Sequence, residues 1–161
     1  MQKPNYQRMY DLIDEVFSTR QDPGQLQVNA EQMRKLQALH PATLSEEASD
    51  EGPLIWVLLI PTTEHLMRLF LSGDLNEKEL LEQTNPDDKL TALYLCSVTT
   101  LPEARGKGRT RDLCLSAISE INKVHPLQFL FVWPFTKEGK ALAEKLARET
   151  GLPLRLKDHR S

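Results

Sequence analysis

Apolar residues recur at three- and four-residue spacing over Tyr6, Met9, Tyr10, Ile13, Val16 and Phe17, the stripe of an amphipathic helix that the turn residues QDPG bring to an end. A second stripe, Ala30, Met33, Leu36 and Leu39, begins behind Asn29, a good N-cap with Gln32 in the capping-box position, and stops before His40 and Pro41. The segment ATLSEEASDEGP that follows is polar and turn-rich, with room for at most one short edge strand. Leu54 to Ile60 is a continuous apolar run bounded by Pro53 and Pro61, as expected of a strand covered on both faces.

Thr62 and Thr63 then offer caps for a helix through HLMRLFL, closed by Ser72 and Gly73, and Asn76 with Glu79 opens another in EKELLEQ. After the turn NPDDK, Leu90 to Val98 reads as a central strand that feeds into the loop LPEARGKGRTRD. Beyond the loop, Cys114, Ala117, Ile118, Ile121 and Val124 repeat at helical spacing, and LQFLFVW reads as a further buried strand. Thr136 caps a helix from Lys137 to Thr150 that Gly151 and Pro153 terminate, and LPLRLK is a last strand. Strands and helices alternate through the second half, so the fold class is α/β with a mixed sheet and helices on its faces.

Composition narrows the function classes. A chain of 161 residues buries one substantial core as a single domain over 1–161 without disulfide or metal staples. The net charge of -3 provides no global attraction for nucleic acid or an anionic membrane, so neither is expected as a partner and any anion site has to be local. Cys96 and Cys114 lie in apolar segments with no histidine at ligand spacing, which indicates neither a disulfide framework nor a metal site and suits a reducing cytoplasm. The N-terminus has no signal-peptide core, and the run LIWVLLI is too short to span a bilayer.

The local anion site is the loop. Arg105, Lys107, Arg109 and Arg111 surround Gly106 and Gly108 where a strand turns into a helix, a geometry that aims unpaired N–H groups and the positive helix end at one point. Glycine admits positive φ and close approach of a ligand, and the basic side chains supply charge-assisted hydrogen bonds. A P-loop needs Lys then Ser or Thr after its last glycine, whereas Arg109 follows Gly108, and a dinucleotide fingerprint needs a glycine where Arg111 stands. The bland reading is a structural turn with a solvated basic face.

Residues VTTLPEARGKGRT resemble motif A of the GCN5-related N-acetyltransferases, in which a bulged strand is followed by proline and then by [QR]-x-x-G-x-[GA] at a helix start. Arg105, Gly106, Lys107, Gly108, Arg109 and Thr110 occupy the six positions, with threonine in place of the usual small last residue. The resemblance runs from Leu90 to Leu156, and PFTKEGKALAEKLARETGL is similar to the family's later helix. It implies a mixed, largely antiparallel central sheet with helices on both faces. The implied ligand is acetyl-coenzyme A, with the backbone of Val98, Thr99 and Thr100 pairing with the pantetheine amides and residues 105 to 110 cradling the pyrophosphate. The implied activity is acetyl transfer to a primary amine of a small-molecule or peptide acceptor, and the alternative is a non-catalytic acyl-coenzyme A or protein-binding module of the same fold. TTEHLMRLFLSG and NEKELLEQ, at about 62–86, form a helical insert relative to the family and are expected to fold onto the sheet.

No catalytic residue carries over. The strand before the loop has no carboxylate, with Cys96 near the place of the family's glutamate, and Ala147 stands where its tyrosine acid is common. Cys96 and Tyr94 read as sheet core, Glu64 and His65 as a first helical turn complementing the dipole, and Trp133 and Phe135 as cleft lining or core plug. His40, His125 and His159 read as surface or loop residues without an identifiable partner.

Overall fold

A computed structural model describes residues 3–20 and 29–158, with the backbone alone described over 13–20. Five strands form one sheet in the order β1-β2-β3-β4-β5: β1 Leu44–Ser49, β2 Gly52–Thr62, β3 Ala92–Thr100, β4 Phe129–Val132 and β5 Leu154–Leu156. Six helices accompany them among the described residues: α1 Asn5–Arg20, α2 Ala30–Leu39, α3 Glu64–Leu71, α4 Glu77–Gln83, α5 Arg109–Val124 and α6 Lys137–Thr150. The long ladders β1·β2 and β2·β3 are antiparallel, while β4 and β5 join by parallel pairing through the crossovers α5 and α6. The fold is therefore α/β with a mixed sheet, most of whose ladder is antiparallel. Among the described residues no helix is long and apolar enough to cross a membrane.

The continuous apolar runs arise because both faces of the sheet are covered. Ile55, Val57 and Leu59 of β2 join Leu93 and Leu95 of β3 and the buried stripe Cys114, Ala117, Ile118 and Ile121 of α5 in one core. Leu58 and Ile60, on the opposite face, pack with Tyr94 and Phe131 under α2, α3 and α4, where Leu36, Met67, Phe70 and Leu80 are buried. Each such side chain contributes roughly 1.5–3 kcal/mol of burial, which is why the two helices between β2 and β3 lie on the sheet. Met9 is buried while Tyr6 and Tyr10 remain about half exposed, and the side chains of Ile13, Val16 and Phe17 lie outside the described residues, as do QDPG and His159.

Local signals held where a specific atom satisfies a helix end. The Asn76 side chain accepts from the Glu79 N–H while Glu79 accepts from the Asn76 N–H, a complete capping box. At α2, Asn29 accepts from the Glu31 and Gln32 N–H groups, so the cap forms without the reciprocal half. Thr63 caps α3, whereas Thr62 belongs to β2 and shares a hydrogen bond of 2.7 Å with Thr84 at the end of α4. Pro53 and Pro61 lie inside β2 rather than bounding it. β1 pairs with β2 no farther than Leu58 and β3 pairs with it only from Ile55, so each proline sits where β2 has one neighbour, and its missing donor breaks no central ladder.

Candidate functional site

β3 carries a bulge. Its register with β2 steps from Leu58↔Ser97 to Leu59↔Leu95, leaving Cys96 as the extra residue. β4 pairs with β3 only from Ala92 to Tyr94, so from Leu95 to Thr100 the strand has β2 on one side and no strand on the other. Val98 is 38% exposed, and Thr99 and Thr100 are half-buried along this open edge. The backbone of 98–100 is therefore placed to offer hydrogen bonds to an extended ligand.

The same strand leads through the turn Pro102–Ala104 into the glycine loop. Gly106 and Gly108 have φ of 78° and 74°, the left-handed region, and Gly108 is the N-cap of α5 without any side-chain cap bond. The first-turn N–H groups of this 16-residue helix thus face outward with its positive end. A Cβ built on Gly106 would meet nothing within 4 Å, and one on Gly108 would meet only the Arg111 guanidinium, at 3.0 Å. The space at Gly106 is open, while the flexible end of Arg111 lies over Gly108.

The basic residues divide their work. Lys107 is exposed and makes no ion pair with a described residue. The Arg105 Nε donates to the Thr100 carbonyl at 3.0 Å, folding the loop back onto the strand. Arg109 pairs with Glu47 of β1 at 2.8 Å, directing its charge toward the sheet edge. The Thr110 and Thr100 hydroxyls bond at 2.9 Å, joining the loop's two ends. On the far side of the turn, Arg8 of α1 donates to both Glu103 carboxylate oxygens at 2.7 and 2.6 Å, and those hydrogen bonds hold the Glu103 carboxyl down to about 2.

A second cluster meets the bulge from the opposite face, and the sequence carried no signal for it. Glu77, the first residue of α4, is 1% exposed, and its Oε2 accepts from the Tyr94 hydroxyl, with the Cys96 Sγ 3.8 Å away. Tyr94 also packs against Phe70 and Phe131 with ring centroids 4.8 and 5.0 Å apart. Trp133 and Phe135 pair at 4.6 Å, and the Lys157 Nζ, from a residue 5% exposed, lies 5.2 Å from the Trp133 ring and 5.5 Å from Phe70. In one dimension Glu77 is an ordinary first-turn acid; only the packing of α4 on the sheet shows it buried at the bulge.

Other candidates are structural. Glu64 pairs with Arg68 on α3 at 3.3 Å and His65 is exposed. Burial pushes the Cys114 thiol up to about 12, which keeps it a neutral core residue. Among the described residues, no group of three or more His, Cys, Asp or Glu is placed to hold a metal ion.

His40 and His125 are not unpartnered loop residues. The His40 Nδ1 accepts from the Ala42 N–H at 2.9 Å, the His125 Nε2 lies 2.8 Å from the Leu39 carbonyl, and the rings stand 6.4 Å apart. Burial, with repulsion from His125, lowers the His40 pKa against an opposing pull from Glu120. The folded chain binds this proton less readily than the unfolded one, so its contribution is fully present above the ordinary value of about 6.5. It is lost as pH falls through the depressed folded value. The Tm is expected to drop between pH 7.5 and 5.5, and His40→Asn, which retains a cap acceptor, should flatten that slope; an unchanged slope in a thermal melt series would refute the assignment.

No protein-family model matches the sequence, and no curated protein matches it. Among solved structures, the chain is similar to the NatB acetyltransferase complex bound to a bisubstrate inhibitor, at 18% identity and a TM-score of 0.49, over 78% of this chain. It spans 61% of the length of that chain.

Proposed function

We propose that this chain is a GCN5-related acetyltransferase that moves an acetyl group from acetyl-coenzyme A to a primary amine of a small-molecule or peptide acceptor. One observation carries the reading: β3 leaves β4 at a bulge, keeps an open edge over 95–100, and runs directly into an uncapped glycine loop at the N-terminus of α5. A ligand combining an extended amide arm with a pyrophosphate needs those two surfaces in that order. Val98, Thr99 and Thr100 would hold the arm; the N–H groups of residues 105–110, with Lys107, would hold the pyrophosphate. Arg105, Arg109 and Thr110 support the cradle through Thr100 and Glu47.

When bound, the thioester supplies the acetyl group: the amine nitrogen bonds to the carbonyl carbon, the C–S bond breaks, and the thiol leaves with a proton from nitrogen. Before attack, an alkylammonium has to lose its first proton, and the Glu77 carboxylate, 3.8 Å from the Cys96 thiol at the bulge, is the acceptor in this reading. Cys96 is half-buried and Ser97 exposed beside it, so the bulge lies between the solvent-facing strand edge and the carboxylate.

The reading is tested by adding acetyl-coenzyme A to the folded protein. A ligand present at a hundredfold excess over Kd stabilises by about 2.7 kcal/mol, a Tm rise of roughly 5–10 °C. No rise at millimolar ligand sinks it. The non-catalytic alternative draws on the lack of a carboxylate on β3; it predicts the same Tm rise with no release of free thiol across a panel of amines and peptides.

A further inference from the structure

We infer that the face formed by α1 and the β1–β2 hairpin is the seat of a cationic peptide segment whose free amine is the acceptor; this rests on the proposed acetyl transfer. Tyr6 and Tyr10 of α1 are 53% and 54% exposed, yet both are fixed against Trp56 of β2, with ring centroids 6.0 and 5.6 Å from the indole. The Trp56 Nε1 donates to the Glu46 Oε1 at 2.7 Å, which locks the indole and sets an exposed carboxylate beside the three rings. Rings with a carboxylate at their edge attract an ammonium or guanidinium through the π faces and the charge together.

The surrounding charge has the matching sign. Among the described side chains of the N-terminal segment, Lys3 pairs with Asp11 at 3.2 Å and Arg8 with Glu103 at 2.6 Å. Glu46 and the hairpin residues Asp50 and Glu51 remain exposed, leaving an acidic surplus around the aromatic cluster. An anionic membrane or nucleic acid would be repelled there.

Position gives the patch its purpose. Trp56 is the cross-strand partner of Thr99, so it borders the strand segment assigned to the cofactor arm, and Leu58↔Ser97, the next pair on the same face, leads to Cys96 and Glu77. Two residues along a strand cover about 7 Å. A peptide charged two or three residues behind its amine can therefore rest that charge on Trp56 and Glu46 while the amine reaches the bulge.

The probes are two labelled decapeptides with free amino termini, one with lysines and one with glutamates at its third and fourth positions, and the readout is fluorescence anisotropy without coenzyme A. The lysine peptide is expected to bind at least tenfold tighter, more weakly as salt rises, with a loss of at least fivefold in Glu46→Gln and in Tyr10→Ala, both exposed changes that leave the core intact. Equal affinity for the two peptides, no binding of either, or wild-type affinity in both variants overturns the inference. Selective lysine-peptide binding at these residues in a protein whose Tm ignores acetyl-coenzyme A would retain the peptide surface and remove the acetyl transfer. A Tm rise with no peptide selectivity does the reverse.

Discussion

Replacing Glu77 with glutamine is expected to lower kcat for acetyl transfer by a hundredfold or more while leaving acetyl-coenzyme A affinity within about twofold. Glutamine keeps the size of the side chain and an oxygen that can accept from the Tyr94 hydroxyl, so α4 and the packing of Phe70 on Tyr94 are retained. What disappears is the proton acceptor, and a hundredfold loss corresponds to about 2.7 kcal/mol of barrier. A merely structural Glu77 would lower the Tm and leave kcat of the folded protein unchanged. Stopped assays of free thiol release, run beside calorimetric titration of the cofactor and a thermal melt, separate the two; wild-type kcat in Glu77→Gln would falsify the role.

Gly108→Asp should abolish cofactor binding, with affinity falling by at least a hundredfold. Its φ of 74° is a region that non-glycine residues occupy at a cost, although aspartate tolerates it better than most. The new Cβ would meet the flexible end of Arg111 at 3.0 Å, which can move aside, so the fold should survive with a modest fall in Tm. The carboxylate, however, would stand at the uncapped N-terminus of α5, in the position a phosphate needs, and would meet it with like charge. Gly108→Ala supplies the control, since it imposes the same backbone strain without the charge and should lose far less affinity. Equal losses in the two variants would assign the effect to backbone strain, and unchanged calorimetric affinity in Gly108→Asp would remove the loop from the site.

The elements that the sequence exposed were those whose signals are local. Asn76 with Glu79, Thr136 before α6 and Gly151 behind it act within a few residues, and the structure has each as a cap: Thr136 accepts from the Gly139 N–H, and Gly151 has φ of 76°. Apolar runs marked β2, β3 and β4 because strands covered on both faces need no polar alternation, though their ends shifted by a few residues where the ladder, not the composition, sets the limit. The prolines at 53 and 61 looked like boundaries because a proline disrupts a paired strand; only the staggered neighbours of β2 reveal that one side was never paired at those points.

The glycine loop was equally legible, since positive φ, basic residues and a helix start all lie within a dozen residues of chain. A bulged strand with a free edge was implied only through the motif resemblance; the place of the bulge at Cys96 and the meeting of Glu77 with Tyr94 and Cys96 were not legible, because each depends on register or on contacts between residues distant along the chain. His40 and His125 illustrate the same limit: separated by most of the chain, they stand side by side only because α5 ends against the corner between α2 and β1. By itself the sequence determined the helices, the buried strands and the anion-seeking loop, since propensity, capping and periodicity act over neighbouring residues. Tertiary structure alone decided which carboxylate faces the bulge and which aromatic rings remain on the surface, since those follow from how separate elements pack.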